Sequence, residues 1–310
     1  MRSISPFIAS LLVSISGWCA LGMRDEALST VQQADAFRLH GLDPASPLES
    51  RVKPTPAAIL KMFDEPGATL PTAHVLTGDE NRKLTAAFAA LPPLHRRILS
   101  ERLRSVSFLD GMPNTAITSP ANPDELYRLF DITIRAGILG EDVSDWMTQR
   151  ERTCFNVKDS PLSVSVEAGK LDAIFYVLLH EATHVVDLAL GITPSNMFTE
   201  GVWSDRVMPA SKYREPLLEH IKFRRGGQAI AIGKAESVYD ALRKTFFASL
   251  YGSSNWGDDL AESVTLHHMT EVLKQPYRIV NRKDGKVVYA YEPMKSEHVH
   301  GRFGQMKRFL

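Results

Sequence analysis

The stretch KLDAIFYVLLHEATHVVDLALG, residues 170–191, decides how this chain is interpreted. It is apolar on nearly every side of a helix, and this pattern predicts a helix buried in the protein rather than one lying on its surface. His180, Glu181 and His184 interrupt the apolar run. Burying two imidazoles and a carboxylate without partners is costly, and a metal ion supplies a partner. The stretch therefore predicts a core helix with a metal site, against the alternative of a helix that merely contains two histidines.

The spacing of the two histidines fits zinc. Positions i and i+4 of a helix are separated by about 40° around its axis, so His180 and His184 project from one face. Two imidazoles placed in this way can reach one zinc ion at about 2.0–2.1 Å each. Glu181 is turned by about 100° and lies beside the metal, where it can take a proton from a zinc-bound water. We therefore predict one Zn²⁺ per chain and chemistry suited to amide hydrolysis.

A catalytic zinc site needs a third protein ligand and one open position. The best candidate lies in FFASLYGSSNWGDDLAESVTLHHMTEVL, residues 246–273, where Asp258 and Glu262 are four apart on one face of a predicted helix. One of them can bind zinc while the other hydrogen-bonds a ligating imidazole. Asp259 is turned away from Asp258 by about a third of a circle, and we expect it at the surface.

Two blocks together resemble a known family. HEATHVVD, residues 180–187, followed by YGSSNWGDDLAE, residues 251–262, is similar to the catalytic domain of anthrax lethal factor and its bacterial relatives. These are zincin-fold zinc metallopeptidases of the gluzincin type. The first block is generic to zincins, whereas the second adds specificity through its Tyr-Gly, its Asn and its final Ala-Glu.

The resemblance implies a role for four residues. His180 and His184 fall on zinc ligands, and Glu181 falls on the general base. Tyr251 matches the tyrosine whose hydroxyl assists the transition state as a partner of the oxyanion or of the leaving group.

The acidic positions match the family less closely. Asp258 falls where the family has its ligating glutamate, and Glu262 falls on the supporting acidic position one turn later. Because aspartate is one methylene shorter, either the second helix approaches more closely or Glu262 is the ligand; we favour Asp258. Asp187 also matches an acidic family position, where it would orient a ligand or hold a neighbouring loop.

The fold class expected from these patterns is α+β. Strand-like runs at 105–111, 129–139, 154–159 and 162–168 precede the histidine helix. The resemblance implies a zincin-like fold, with a small mixed sheet packed on the active-site helix and a mainly helical N-terminal region. The expected divisions are a signal peptide (1–22), a helical N-terminal region (23–95), a zincin-like catalytic domain (96–275), and a C-terminal hairpin with an exposed basic tail (276–310).

Two segments are expected to border the cleft. In zincins the strand before the metal helix forms the upper rim and pairs with extended substrate, so a peptide would add to the edge of LSVSVEAG, residues 162–169. The competing interpretation makes this an interior strand. Residues 192–245 form a long insertion that we expect to shape one wall of the cleft.

The N-terminal segment MRSISPFIASLLVSISGWCALG, residues 1–22, predicts export. It has a basic start, a short apolar core and small residues spaced like a signal-peptidase site. A lipid anchor through Cys19 is disfavoured by the bulky Trp18 before it, and the run is too short and serine-rich to favour a retained membrane anchor. We expect a periplasmic or secreted protein without a stable membrane span.

The amino-acid composition gives little information about the binding partner of the protein. Lys plus Arg and Asp plus Glu both number 36, so no global charge indicates a nucleic acid or an anionic lipid surface. Once the signal is cleaved Cys154 is the single cysteine, so no intramolecular disulfide is expected.

The functional hypothesis is an exported zinc-dependent metalloendopeptidase acting on a protein or peptide substrate. Two alternatives stay open. A weakened third ligand at Asp258 would leave an inert exported zinc-binding protein on a zincin scaffold. Export alone is also compatible with a peptidase that cleaves peptidoglycan crosslinks.

Overall fold

The protein is mixed α+β and divides into two compact units. The structure, a computed structural model, describes residues 30–64, 67, 69–158, 160–307 and 309, so the expected signal peptide lies outside the described residues. The first unit takes the described residues up to 77 together with 99–136, and the second takes 78–98 together with 137 onwards. The division expected at residue 95 is therefore not where the units separate, because residues 78–98 belong with the histidine helix.

The first unit is built on a four-stranded sheet. Its helices and strands are α1 (Thr30–His40), α2 (Ala57–Lys61), β1 (Thr72–Ala73), β2 (Leu103–Asp110), β3 (Ala116–Pro120) and β4 (Phe130–Arg135). The strand order is β1-β2-β4-β3, with β2 and β4 parallel and the outer pairs antiparallel. The central strands β2 and β4 are buried along almost their whole length, as strands covered on both faces are.

The second unit carries the histidine helix. The helix α4 (Pro93–Arg102) begins in this unit and ends in the first one. The other helices are α3 (Gly78–Ala90), α5 (Val143–Arg152), α6 (Ala173–Leu190), α7 (Pro216–Glu219), α8 (Ala235–Arg243), α9 (Trp256–His267), α10 (Glu297–His300) and α11 (Phe303–Met306). The strands are β5 (Phe155–Asn156), β6 (Leu162–Glu167), β7 (Ile230–Ala231), β8 (Arg278–Lys283) and β9 (Lys286–Tyr291). A three-stranded antiparallel sheet, β6-β8-β9, and a short parallel pair, β5-β7, complete the unit.

The expectation of a mixed sheet in one domain with the metal helix needs correction. The three-stranded sheet that shares a unit with α6 is antiparallel and the two-stranded pair β5-β7 there is parallel, whereas the mixed four-stranded sheet belongs to the other unit. The strand-like runs themselves are confirmed as β2, β4, β5 and β6, although the second and third strands are shorter than the sequence indicates. Sequence patterns locate strands, but pairing is decided by contacts between distant parts of the chain.

The helix α6 is the buried element that the sequence predicts. It contacts α3, α5 and α9, and it ends at Gly191, which has a positive φ of 64° and donates its backbone N–H to the carbonyl of Asp187 at 2.7 Å. Among the described residues this helix is long and apolar enough to cross a bilayer, and 72% of it is buried inside the protein. That degree of burial is what the core helix of a globular unit shows.

The strand β6 is neither an interior strand nor an open edge. Among the described strands it pairs with β8 alone, and its other side faces α5. Three side chains of α5 bond outward backbone groups of this strand and of the residue after it. Thr148 Oγ1 accepts from Val166 N (2.8 Å), Ser144 Oγ accepts from Ala168 N (2.9 Å), and Arg152 Nε donates to Val164 O (2.9 Å). A peptide would have to displace these bonds to pair there, so the edge is not open in the way that the expected docking of substrate requires.

The C-terminal part forms the predicted hairpin and then packs into the unit. Asp284 and Gly285, both with positive φ (49° and 76°), make the two-residue turn between β8 and β9. The expected exposed tail is found only in part: His298 and His300 are exposed, whereas Arg302 is only 3% exposed and α11 buries Phe303 and Met306.

Candidate metal centre

Three donor atoms from two helices converge in the second unit. His184 Nε2 lies 3.4 Å from Asp258 Oδ1, and His180 Nε2 lies 3.9 Å from the same oxygen. One ligand atom from each of the three residues lies within 4.8 Å of the others. Bonds of 2.0–2.1 Å in a tetrahedral zinc site separate the ligand atoms by roughly 3.3 Å. The group therefore has the chemistry, and nearly the spacing, that a metal ion requires.

Each helix presents its donors for a local reason. On α6, His180 and His184 occupy successive turns, and their ring centroids are 4.9 Å apart. On α9, the side chain of Asn255 accepts hydrogen bonds from the backbone N–H groups of Gly257 and Asp258. This N-cap starts the helix at residue 256 and places Asp258 in its first turn, opposite the histidines.

Asp258 is held so that one oxygen faces the histidines. Its Oδ2 accepts hydrogen bonds from Ser254 Oγ and from Asn255 Nδ2, both at 2.6 Å. Its Oδ1 is the atom near His180 and His184. The shorter aspartate therefore reaches the centre as a one-oxygen donor because the turn before α9 binds its second oxygen.

Glu262 is fully buried and turned to a supporting contact. Its Oε1 lies 3.2 Å from Nδ1 of His180, the ring atom on the far side from the donor nitrogen. Arg150 donates to both carboxylate oxygens at 3.0 Å, and Tyr176 Oη and Ser249 Oγ also donate to them. In this arrangement Asp258 is the carboxylate that joins the candidate ligand group, and Glu262 contacts the candidate ligand His180 from behind.

The charges of the centre are strongly coupled. Burial lowers the pKa of His180, but contacts with Asp258 and Glu262 outweigh burial and raise it to about 9. Burial opposes ionisation of Asp258 and Glu262 too, yet His180, together with His184 for the former and Arg150 for the latter, holds both carboxyl pKa values well below the ordinary range. A metal ion bound here would compete with protons for the same donor atoms.

Glu181 and Tyr251 lie next to this group. Glu181 follows His180 on α6, is 8% exposed, and its charge contributes to the raised pKa of His180. Tyr251 lies in a 3-10 turn, Tyr251–Ser253, with its ring centroid 5.8 Å from that of His180. Both residues that the resemblance implies for proton transfer and transition-state contact are therefore placed beside the candidate ligands.

Residues 192–245 contribute contacts beside Tyr251. The ring of Phe223 meets the Tyr251 ring edge-on at a centroid distance of 5.1 Å, and Arg224 donates to the Ser253 carbonyl at 2.5 Å. These two neighbours support the turn that carries the tyrosine.

Two acidic residues have structural partners. Asp187 accepts from the backbone N–H and the hydroxyl of Thr193, both at 2.8 Å, so it holds the loop after α6, the second of the two roles left open for it. The expected surface position of Asp259 is wrong: it is fully buried, bonded to Arg302 Nη1 at 2.9 and 2.8 Å and to Trp203 Nε1 at 2.9 Å.

Sequence reasoning missed the neighbours of Glu262. Tyr176 had a usable signal, because it precedes His180 by four residues and shares its helix face. Arg150 had none, since 112 positions separate it from Glu262. Ser249 lies in the stretch before α9, where no local pattern marks it.

Three protein donors leave one position of a tetrahedral ion open for water or substrate, as in catalytic zinc sites. The donor set of two imidazoles and one carboxylate is one that zinc accepts. Comparisons with known protein families, with characterised proteins and with solved structures found no match to this chain.

Proposed function

We propose that this protein is a zinc-dependent metalloendopeptidase with a zincin-type fold, exported after cleavage of its N-terminal signal. The observation that carries the proposal is the convergence of His180 Nε2, His184 Nε2 and Asp258 Oδ1 with Glu181 next to them on α6. The similarity of the two sequence blocks to gluzincin peptidases supports the same conclusion.

Different residues of the chain have different roles in the proposed reaction. When bound, zinc supplies Lewis acidity, which polarises a carbonyl and makes water more acidic. Glu181 takes the proton of the attacking water and passes it to the leaving amine. The Tyr251 hydroxyl donates a hydrogen bond to the negative charge that develops in the transition state or to the leaving group. His180, His184 and Asp258 hold the ion in place.

The inert zinc-binding alternative depended on the shortness of Asp258. The 3.4 Å separation between Asp258 Oδ1 and His184 Nε2 favours a complete ligand set instead. The hydrogen bonds of Ser254 and Asn255 to Oδ2 hold this aspartate so that Oδ1 faces the histidines. The extra methylene of a glutamate is therefore not needed for it to serve as a ligand. We therefore propose the catalytic function over the inert one.

The test combines metal content with turnover. We expect about one zinc per mature chain by elemental analysis, lost in Asp258→Ala and retained at reduced affinity in Glu262→Ala. Glu181→Gln should keep its zinc and lose about 10²–10⁴-fold in peptide hydrolysis. A parent protein that takes up no zinc, or a Glu181→Gln variant with unchanged turnover, would refute the proposal. Digestion of peptidoglycan, but of no protein substrate, would redirect it to crosslink cleavage.

A further inference from the structure

We infer that Arg150 is a positioning residue of the metal centre, acting on His180 through Glu262 and on Tyr251 through direct contact with its ring. The inference rests on the proposed function. Arg150 lies on α5, a helix that contributes no candidate ligand. The two sequence blocks that predict the metal site, residues 180–187 and 251–262, do not include Arg150.

The first contact is a two-pronged ion pair. Nη1 of Arg150 lies 3.0 Å from Oε1 of Glu262, and Nη2 lies 3.0 Å from Oε2. Parallel bonds of this kind fix the plane of a carboxylate as well as its position. Because Oε1 of Glu262 also faces Nδ1 of His180 at 3.2 Å, the guanidinium sets the orientation of the group behind the imidazole. Groups that contact a ligand in this way tune metal affinity by orienting that ligand.

The second contact is with aromatic rings. The guanidinium carbon lies 5.1 Å from the ring centroid of Tyr251, 4.8 Å from that of Trp146 and 5.4 Å from that of Tyr176. A cation within about 6 Å of a ring face is attracted to it. Arg150 therefore contacts Tyr251 directly and reaches the proposed ligand His180 through Glu262, so one side chain helps to fix both positions.

Among the described residues, Arg150 is the one guanidinium beside Glu262, and the other basic group there is the imidazole of His180. Glu262 is fully buried, and within the part of the chain that the structure describes no lysine and no other arginine pairs with it. The helix that carries Arg150 is itself fixed, because Asp142 caps its start and the side chains of Ser144 and Thr148 bond the backbone beside β6. A site supported by residues on a rigid helix keeps its geometry more closely than one supported by loops.

The experiment is a double-mutant cycle with zinc affinity as the readout. Arg150→Met, Glu262→Gln and the double variant are compared with the parent by competition for Zn²⁺ against a chromogenic chelator. We expect Arg150→Met to weaken zinc binding about 10–100-fold. The double variant should bind zinc no more weakly than Glu262→Gln alone, because Arg150 acts through Glu262. Arg150→Lys should fall between parent and Arg150→Met, since lysine keeps the charge and loses the fork.

The matched control is Arg152→Met. Arg152 is two residues away on the same helix and donates to the carbonyl of Val164, and the ion pair of Glu262 is with Arg150 rather than with Arg152. We expect it to leave zinc affinity within about twofold of the parent. In peptide hydrolysis, Arg150→Met should lower kcat more than it changes KM, because Tyr251 is needed in the transition state.

The outcomes separate this inference from the proposed function. If the parent takes up no zinc, the proposed function fails and the positioning role falls with it. If the parent binds zinc and a folded Arg150→Met variant binds it equally well, the positioning role is refuted while the function stands. Additive losses in the double variant would also refute it. Should Arg150→Met not fold, the double variant and Arg150→Lys decide, because neither leaves an unpaired buried carboxylate.

Discussion

Asp258→Glu gives the chain the longer side chain that the family resemblance leads one to expect, and we predict that it weakens zinc binding. The extra methylene lengthens the side chain by about 1.5 Å. Oδ1 of Asp258 is already 3.4 Å from Nε2 of His184. A carboxylate advanced along the same line would lie about 2 Å from that nitrogen, whereas two ligands of one tetrahedral zinc are separated by roughly 3.3 Å.

The longer side chain therefore has to fold away from its present direction. In doing so it gives up the bonds that Oδ2 accepts from Ser254 and Asn255 at 2.6 Å. A hydrogen bond to a charged group contributes about 1.5 kcal/mol at the low end, so losing two costs about 3 kcal/mol. At 1.4 kcal/mol for each factor of ten, zinc affinity should fall about 100-fold.

The assay is the same competition for Zn²⁺, with thermal unfolding of each variant as the check on folding. Asp145→Glu, an equal change at an exposed position of α5, serves as the control and should bind zinc like the parent. Asp258→Asn keeps the side-chain length but removes the charge, and we expect it to bind zinc more weakly than the parent as well. Zinc binding by Asp258→Glu as tight as that of the parent would refute the reasoning from length and anchoring.

Three further predictions concern stability. Arg302→Met leaves the carboxylate of Asp259 buried without its cation and should lower the free energy of unfolding by about 3–5 kcal/mol in urea titrations; a loss below about 1 kcal/mol would contradict the buried pair. Burial raises the pKa of Glu151 to about 7 against the partial opposition of the Tyr239 hydrogen bond. The folded state then binds the Glu151 proton more tightly than the unfolded one, so this stability is present at pH 4 and is lost as the pH rises to about 7. Glu151→Gln should remove this pH dependence of the free energy of unfolding, which amounts to at most about 3 kcal/mol. An unchanged pH profile in that variant would contradict the prediction. Thr148→Val removes two hydrogen bonds to β6 and should cost about 1–2 kcal/mol, with the strand's amide protons exchanging faster; protection as in the parent would argue that the edge is held otherwise.

The histidine helix could be predicted from sequence because its signals are local. Apolar residues on nearly every side, a terminal glycine and two histidines four apart all lie within one stretch, and a helix converts that spacing into shared direction. The acidic residues of α9 could be predicted in the same way, since they lie close in sequence to the N-cap that starts the helix. For Asp258, sequence alone left the ligand role shared with Glu262, because which carboxylate faces the centre depends on how closely the two helices approach.

The remaining features depend on contacts that no local pattern encodes. Adjacent residues of a helix are rotated by about 100°, so Asp259 cannot face the same way as Asp258. This spacing does not reveal which residues Asp259 contacts. Trp203 and Arg302, 56 and 43 residues away, meet it inside the protein. The edge of β6 was misassigned for a similar reason: a strand pattern says that backbone groups need partners, not that the side chains of a preceding helix will supply them.

The helix α9 shows why these distant contacts matter to the centre. It is buried along its length after the first two residues, yet it carries Asp258, Asp259 and Glu262. Buried carboxylates are costly unless each is paired. Asp258 faces the two histidines, Asp259 pairs with Arg302, and Glu262 pairs with Arg150 and also faces Nδ1 of His180. A rotation of α9 by one residue would turn Asp259 towards the histidines and leave both arginines facing the wrong side chains. The three pairs therefore favour a single rotation of the helix, so the C-terminal segment and α5 help to aim Asp258 at the histidines without contributing a candidate ligand.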